Sequence, residues 1–327
     1  KDYYYDVSFG QLNLIPTVVG PYVLSQPMAY YGATGTYFSD ANPKEMIAEA
    51  CALADNEIDF SQFDMNNDGI IDAVHVIFAG AGEASTGEGD AIWPHRWSIY
   101  PSDGFNITFD GVRLKDYSCS AEKMGNGMDG IGTVCHEFGH VLGLPDLYDT
   151  DYEGSGGQAT AINTWSIMAS GSYNNYSNTP ASFTAYEKYR LNWLQLDTLE
   201  VAGEYVLPPL MDSNKAYIIT SPYNDEFFVF ENRQRTSWDT YIPNDGGLIY
   251  HVKQEGDYDI NSDPNYQKYD IEEADRDASS NTLAADVFPS MFFNNFFTDY
   301  SAPNSILWNG ESLNKPITRI TRDTSDN

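Results

Sequence analysis

The sequence predicts an α+β fold in which a helix-containing N-terminal part is followed by a β-rich C-terminal part. Three segments carry apolar residues at helical spacing, residues 43–58, 130–142 and 180–195. Residues 73–79 form an apolar run with the length of a buried strand. After about residue 197, short β-like runs alternate with turn residues. This change predicts two parts, residues 1–196 and residues 197–327.

The N-terminal part begins with two predicted helical segments and a strand. Residues 2–9 are long enough for one or two helical turns. The first long helix has Asn42 as its expected N-cap and Pro43 at its first position. Proline is favourable there because the N–H groups of the first turn make no hydrogen bond within the helix. The strand at residues 73–79 is expected to be buried and to end at Gly80.

Two short strands, at residues 111–114 and 116–119, are predicted before the central helix. The helix over residues 130–142 is expected to end at Gly143, because glycine readily adopts the left-handed backbone conformation that closes a helix. Pro145 prevents the helix from continuing.

The remaining elements are a loop, one more helix and the C-terminal strands. Residues 150–160 are rich in Gly, Ser, Asp and Thr and are predicted to be a loop, ahead of the helix at 180–195. Four β-like runs follow, at residues 204–207, 215–220, 226–231 and 247–252. Residues 254–290 are polar and acidic, which predicts long loops with one helical turn at 271–277.

The composition excludes several classes of function. The chain has 17 Lys and Arg residues against 48 Asp and Glu residues, a formal net charge of −31. Such a surface repels nucleic acid and anionic lipid, so we expect neither as a partner. There is no run of about eighteen or more apolar residues, so no membrane span is predicted. Three cysteines do not make a disulfide framework, and Cys51, Cys119 and Cys135 are expected to be small buried residues.

The central helix carries the most specific motif of the chain, His136-Glu137-Phe138-Gly139-His140. Residues four apart on a helix share one face, so His136 and His140 can present two imidazoles to a single metal ion. Gly143 permits a sharp turn after the helix, and Asp146 can then reach back as the third ligand. The string His-Glu-x-x-His-x-x-Gly-x-x-Asp therefore predicts a zinc site.

This set of residues predicts hydrolytic chemistry. Three protein ligands leave one position of a tetrahedral zinc ion open to water, and zinc lowers the pKa of that water to about 7. Glu137 flanks the ligand face, where it can accept the proton of the water and pass it to a leaving amine. We therefore expect Glu137 to be the general base and acid in the hydrolysis of peptide bonds.

With the zinc string and a downstream methionine, the chain resembles the metzincins, and most closely the immune inhibitor A-like peptidases of family M6. Met168, in the string Trp165-Ser166-Ile167-Met168, is the candidate for the Met-turn of that class. Four further segments carry the resemblance, residues 2–10, 92–97, 145–149 and 247–252. The resemblance implies a metzincin-like catalytic domain with a central zinc helix and a twisted sheet. Some metzincins place a tyrosine two residues after the methionine, but Ser170 stands there and Tyr173 lies nearby.

A calcium loop is predicted at residues 64–72. The predicted ligands are Asp64, Asn66, Asp68, the backbone carbonyl of Ile70, and Asp72. His75 occupies the position where an EF-hand has its last acidic ligand, so a carboxylate from elsewhere, Glu83, Glu88 or Asp90, could complete the shell. Weaker acidic candidates are residues 149–153 and 257–263.

Together these observations predict a secreted, monomeric zinc endopeptidase that hydrolyses proteins or peptides and is stabilised by calcium. Secretion is expected from the resemblance, the acidic surface and the calcium loop. The first residues lack the pattern of a signal peptide, and the resemblance implies a strand ahead of Lys1.

Two other interpretations remain open at this point. A thermolysin-like peptidase would use a distant glutamate as its third ligand, although Gly143, Asp146 and Met168 favour the metzincin interpretation. A calcium-stabilised binding or adhesion module with a vestigial protease site is the alternative outside enzymology. Glu137 is present, which favours an active site over a vestigial one.

Overall fold

A computed structural model describes residues 1–33, 40–256, 260–290 and 294–323, and it confirms the α+β class. The chain divides into two compact units, one formed by Ile15–Gly143 and the other by Lys1–Leu14 together with Leu144–Asn327. In the part of the chain that the structure describes, no helix is both long enough and apolar enough to cross a membrane. A domain boundary near residue 197 stays a prediction.

The unit Ile15–Gly143 combines a mixed sheet with short helices. Its helices are α2 (Met28–Gly32), α3 (Pro43–Ala54), α4 (Glu83–Thr86) and α5 (Gly132–Val141). Its strands are β1 (Val74–Ala81), β2 (His95–Ser98), β3 (Thr108–Phe109), β4 (Val112–Arg113), β5 (Asp116–Met124) and β6 (Gly127–Met128). The order β1-β5-β2 puts β5 in the middle, β6 pairs with the end of β5, and β3 pairs with β4.

Strand β5 fixes the register of this sheet. It runs parallel to β1, with Val74 opposite Tyr117, and antiparallel to β2, with His95 opposite Cys119. Tyr117 and Cys119 are fully buried, and they join a core with α3 residues such as Met46 and Ile47. The central helix α5 packs on β5 and β2, so the sheet supports the helix that carries the histidine pair.

The second unit is built around a five-stranded sheet. Its helices are α1 (Asp2–Val7), α6 (Ala185–Arg190) and α7 (Leu210–Ser213). Its strands are β7 (Asp197–Thr198), β8 (Tyr217–Thr220), β9 (Glu226–Arg233), β10 (Gly246–Lys253) and β11 (Tyr269–Ile271), in the order β11-β10-β9-β8-β7. Only β7 and β8 are parallel within this sheet, and every residue of β9 is buried.

Most of the predicted helices and strands occur, with differences at their ends. Helix α3 begins at Pro43 with Asn42 as N-cap, as predicted, but it ends at Ala54. Strand β1 continues through Gly80 to Ala81, and its register with β5 shifts there. Its expected burial is wrong over much of its length, since Ile77 is 62% exposed.

Helix α6 is shorter than the predicted residues 180–195. The segment before it is held in a non-helical conformation by tertiary hydrogen bonds, from Ala181 N to the Gly171 carbonyl (3.0 Å) and from Ser182 N to Asp239 Oδ1 (2.8 Å). Thr184 then starts the helix with a capping box. Local apolar spacing could not reveal these competing bonds.

Two C-terminal predictions are also wrong, because hydrogen bonds to distant residues compete with the local preference of the segment. Residues 204–207 are not a strand, because side chains bind their carbonyls: Tyr217 Oη donates to Val206 O (2.8 Å) and Asn232 Nδ2 to Leu207 O (2.8 Å). The helical turn at 271–277 is replaced at its start by β11, which pairs with β10.

Candidate metal centre

Helix α5 brings the two predicted histidine ligands together. His136 and His140 lie one turn apart, and their Nε2 atoms are 3.1 Å from each other. Their rings are nearly perpendicular, at 89° with centroids 4.7 Å apart. Two nitrogens that each lie about 2.0–2.1 Å from a tetrahedral zinc ion are separated by about 3.3 Å. The observed separation therefore fits two imidazoles that share one ion.

The turn after α5 depends on Gly143. The helix closes with a hydrogen bond from Leu142 N to Phe138 O (3.1 Å) and one from Gly143 N to His140 O (3.0 Å). Gly143 has φ +97°, and an added Cβ would meet nothing within 4 Å. A side chain would fit in the space around Gly143, so glycine is required for its positive φ and not for its small size.

Asp146 joins the histidines after this turn. Each of His136, His140 and Asp146 offers one ligand atom, and these atoms all lie within 4.8 Å of one another. Among the residues that the structure describes, no other set of three or more His, Cys, Asp or Glu side chains is gathered so closely. Two imidazole nitrogens and one carboxylate oxygen are donors that zinc accepts, so the set fits the ion that the sequence predicts.

Glu137, the predicted base, lies on α5 directly after the first of these histidines. It is 6% exposed, whereas both neighbouring ligands are half-buried. A nearly buried carboxylate beside a metal-binding set is an arrangement that supports proton transfer away from bulk water.

The main chain after Asp146 is held by the Met168 segment. Leu147 N donates to the carbonyl of Met168 (2.8 Å), and Met168 N donates to Ser166 Oγ (2.9 Å). The side chain of Met168 is fully buried. The segment of Met168, the candidate Met-turn, therefore holds the residue that follows Asp146.

Glu187 anchors this turn from helix α6. Its carboxylate accepts hydrogen bonds from Ser166 Oγ (2.7 and 2.9 Å) and from the N and Oγ1 of Thr184 (2.6 and 2.7 Å). Burial raises the pKa of Glu187 to about 7, against the opposing effect of these hydrogen bonds. The pattern Thr-x-x-Glu is visible in the sequence as a capping box, but its link to Ser166 is not.

Close packing also fixes the far end of the turn. A Cβ on Gly171 would lie 2.4 Å from the carbonyl oxygen of Ser166, so only glycine fits. Gly171 N donates to that same oxygen (3.0 Å). Tyr173, the tyrosine nearest to the methionine, lies at the end of the following 3₁₀ helix and is 52% exposed.

The predicted calcium loop is an ordered turn bonded to itself. The two carboxylate oxygens of Asp64 accept from Asp68 N (3.0 Å) and Gly69 N (2.9 Å), and Asp72 Oδ2 accepts from Met65 N (3.0 Å). Gly69 has φ +80°. Two more hydrogen bonds lie inside the loop, to Asn66 Oδ1 from Asp68 N and to Asp68 Oδ1 from Ile70 N. Calcium binding by these residues stays a prediction.

The weaker acidic candidates, residues 149–153 and 257–263, differ in exposure and in hydrogen bonding. Asp149 accepts hydrogen bonds from Asp151 N (3.1 Å) and Ala159 N (2.8 Å), so it closes the loop at 150–160. Glu153 is exposed. Residues 257–259 lie outside the described residues.

The three remaining histidines make hydrogen-bond contacts with neighbouring residues, and the cysteines are buried. His75 contacts Ser118 Oγ and Ser120 Oγ, His95 contacts Trp93 O and Tyr117 Oη, and His251 contacts Glu226 Oε1. The three cysteines are buried, as expected, and none of them is in a disulfide within the described residues.

Comparison with known proteins gives a consistent result. Residues 1–199 match the family model described as immune inhibitor A peptidase M6, catalytic domain. The immune inhibitor A of Bacillus thuringiensis subsp. alesti is 32% identical over 223 residues, which are 58% of this chain and 31% of that protein. The pre-pro-metalloprotease PrtV of Vibrio cholerae serotype O1 (strain M66-2) is 30% identical over 234 residues, which are 62% of this chain and 25% of that protein. The chain thus matches less than a third of the length of these relatives.

Proposed function

The chain belongs to the immune inhibitor A peptidase M6 family, and from this premise we propose that it is a zinc-dependent endopeptidase that hydrolyses peptide bonds of proteins. The observation that carries the proposal is the gathering of the His136, His140 and Asp146 ligand atoms within 4.8 Å, next to the nearly buried Glu137. This arrangement favours an active site over the alternative of a binding module with a vestigial site.

Each residue of the site has one role in this proposal. His136, His140 and Asp146 would hold the ion, and zinc, when bound, would supply Lewis acidity and lower the pKa of water in the site. Glu137 accepts a proton from the attacking water and donates it to the nitrogen of the leaving amine. Asp146 and Met168 support assignment to the metzincins in place of the thermolysin-like peptidases.

Cleavage of casein or gelatin tests the proposal. We expect Glu137→Ala to retain zinc but to cleave about 10²–10⁴-fold more slowly, the usual range for loss of a general base. Glu200→Ala removes an exposed glutamate and serves as the control, with unchanged activity expected. Equal, measurable cleavage by the wild type and Glu137→Ala would refute Glu137 as the base, and no cleavage by either protein would favour the binding module.

The zinc affinity of Asp146→Ala separates the two peptidase classes. The proposed ligand set predicts a large loss of affinity, measured by competition with a chelator, because one of three protein ligands is removed. Full affinity in this variant would point to a distant glutamate as the third ligand, as in thermolysin-like peptidases.

Calcium is a structural cofactor in the proposal, bound by the loop at residues 64–72. Support comes from the spacing of Asp64, Asn66, Asp68 and Asp72 and from the positive φ at Gly69. We expect Ca²⁺ to raise the thermal midpoint of the wild type and to do so much less for Asp64→Ala. The exposed Asp197→Asn is the control, and an equal Ca²⁺ response in Asp64→Ala would exclude this loop.

The proposal also includes secretion and a monomeric state. An acidic surface of net charge −31 suits an extracellular protein that holds calcium. Detection of the natural protein inside cells, with none in the medium, would overturn the localisation.

A further inference from the structure

We propose that Asn261 is a positioning residue for Asp146, because it holds the main chain directly after this ligand. The inference rests on the proposed function, in which Asp146 binds zinc. It assigns part of the metal centre to a residue beyond the segment 1–199 that matches the family model.

Both the nitrogen and the oxygen of the Asn261 side-chain amide make hydrogen bonds. Its Nδ2 donates to the carbonyl oxygen of Leu147 (3.1 Å) and to that of Tyr269 (2.8 Å). Its Oδ1 accepts from Tyr269 N (3.0 Å), and the side chain is fully buried. Asn261, which lies 114 residues from Leu147 in the chain, therefore ties Leu147 to strand β11.

Leu147 is bonded on its other side as well. Its N–H donates to Met168 O. Met168 N donates in turn to Ser166 Oγ, and that hydroxyl donates to Glu187 Oε1. The two successive peptide groups that follow Asp146 are thus held by different partners. The Met168 carbonyl holds the first, and the Asn261 amide, together with a longer bond from Ile162 N (3.5 Å), holds the second. All of these groups lie in the unit that contains Leu144–Asn327.

Such support matters because Asp146 has no regular secondary structure of its own. Residues 144–149 belong to no helix or strand, so no backbone ladder fixes them. A metal site requires ligand distances that are correct to about 0.2 Å. Without the Asn261 donor, the Leu147 carbonyl loses its shorter buried bond (3.1 Å) and is left with the longer one from Ile162 N (3.5 Å), so the segment that carries Asp146 can shift away from the histidines.

A matched control exists in the same unit. Asn294 is also buried (6% exposed), and its Nδ2 also donates to two main-chain carbonyls, those of Ala274 (3.0 Å) and Ala302 (3.1 Å). Neither carbonyl belongs to a residue of the metal centre. Asn294→Leu therefore removes two Nδ2-to-carbonyl bonds, as Asn261→Leu does, with no route to Asp146 through Leu147; Asn261→Leu also removes the bond from Tyr269 N to Oδ1.

The experiment compares wild type, Asn261→Leu, Asn294→Leu and Asp146→Ala. Zinc affinity is measured by chelator competition, the visible spectrum of the Co²⁺-loaded protein reports the ligand geometry, and urea unfolding of the metal-free protein reports stability. We expect Asn261→Leu to weaken zinc binding about 10–100-fold, the usual range for loss of a group that orients a ligand, and to alter the Co²⁺ spectrum. Asn294→Leu should lose similar stability but keep wild-type zinc affinity and spectrum.

The outcomes distinguish this inference from the proposal on which it rests. If Asp146→Ala weakens zinc binding but Asn261→Leu behaves like Asn294→Leu, the positioning role of Asn261 is refuted and the proposed ligand set stands. If Asp146→Ala leaves zinc affinity unchanged, the ligand set itself fails, and this inference with it. If Asn261→Leu does not fold, Asn261→Ser is measured in its place, since serine is too short to reach the Leu147 carbonyl; the same two results decide.

Discussion

Gly143 shows how one backbone conformation sets the geometry of the candidate metal centre. Its φ of +97° disfavours any residue with a Cβ, although the space around it is open. We expect Gly143→Ala to cost about 1–3 kcal/mol in the free energy of unfolding and to weaken zinc binding as well, because the strained turn displaces Asp146. Urea unfolding and chelator competition measure the two effects.

Gly87 is the control for this prediction. It also has positive φ (+67°) and an open surrounding, but it lies after helix α4, away from residues 136–146 in the chain. Gly87→Ala should lose stability while it retains zinc affinity. A loss of zinc affinity in both variants, in proportion to stability, would mean that Gly143 has no special role in the metal centre.

At the residue scale, the sequence predicted the atoms that would bind a metal but not the atoms that support them. The His-Glu-x-x-His pattern lies on one helix, so its geometry follows from helical periodicity. Asp146 lies six residues after His140, past the turn at Gly143. The Leu147 contacts of Asn261 join residues that lie far apart in the sequence, and a single sequence carries no signal for such a pair.

At the scale of elements, the buried side chain of Arg233 connects strand β9 to the Met168 turn. Its guanidinium contacts Asp239 Oδ1 (2.6 Å), Glu231 Oε1 (3.0 Å) and the carbonyl of Trp165 (3.0 Å). Arg233, Glu231 and Asp239 are all fully buried. Because none of these three groups reaches water, the charge on each is stabilised by the opposite charge beside it.

Arg233→Leu is expected to destabilise the protein by about 3–5 kcal/mol, because it leaves two carboxylates buried without their cation. Arg235→Leu is the matched control two residues along the chain, where the arginine is 48% exposed and pairs with Asp245. An exposed pair contributes about 0–1 kcal/mol. Denaturant unfolding of both variants checks this, and equal losses would contradict the assigned difference.

The predicted elements failed where tertiary hydrogen bonds competed with local preference. Residues 180–184 carry a helical pattern, but Ala181 and Ser182 donate their N–H groups to distant acceptors. Residues 204–207 carry a strand pattern, but two of their carbonyls accept from side chains. Periodicity describes which face of a segment is apolar and carries no information about such partners.

At the scale of the whole molecule, the acidic chain buries some of its carboxylates, and Asp286 is one of them, at 1% exposed. Burial raises the pKa of Asp286 from its ordinary value of 3.8 to about 8, against the hydrogen bond from Trp165, and Glu273, Asp275 and Asp277 add to the rise. The folded protein therefore holds this proton more tightly than the unfolded chain. The contribution of Asp286 to stability is greatest at low pH and declines as pH rises from about 4 to about 8.

Asp286→Asn removes this titration. We expect the free energy of unfolding of the variant to fall less steeply than that of the wild type between about pH 4 and about pH 8. Asp197→Asn, at a carboxylate that is 61% exposed, should leave the wild-type slope unchanged. Identical slopes in Asp286→Asn and wild type, from urea unfolding across this range, would show that Asp286 is ionised throughout.

The proposed zinc centre is tested most directly by X-ray absorption at the zinc edge of the loaded protein. Ligation by His136, His140 and Asp146 predicts nitrogen and oxygen neighbours at about 2.0–2.2 Å, with outer-shell scattering from two imidazoles. In Asp146→Ala one oxygen neighbour should be lost or replaced by water. A sulfur neighbour at about 2.3 Å, or scattering from three imidazoles, would contradict the proposed ligand set.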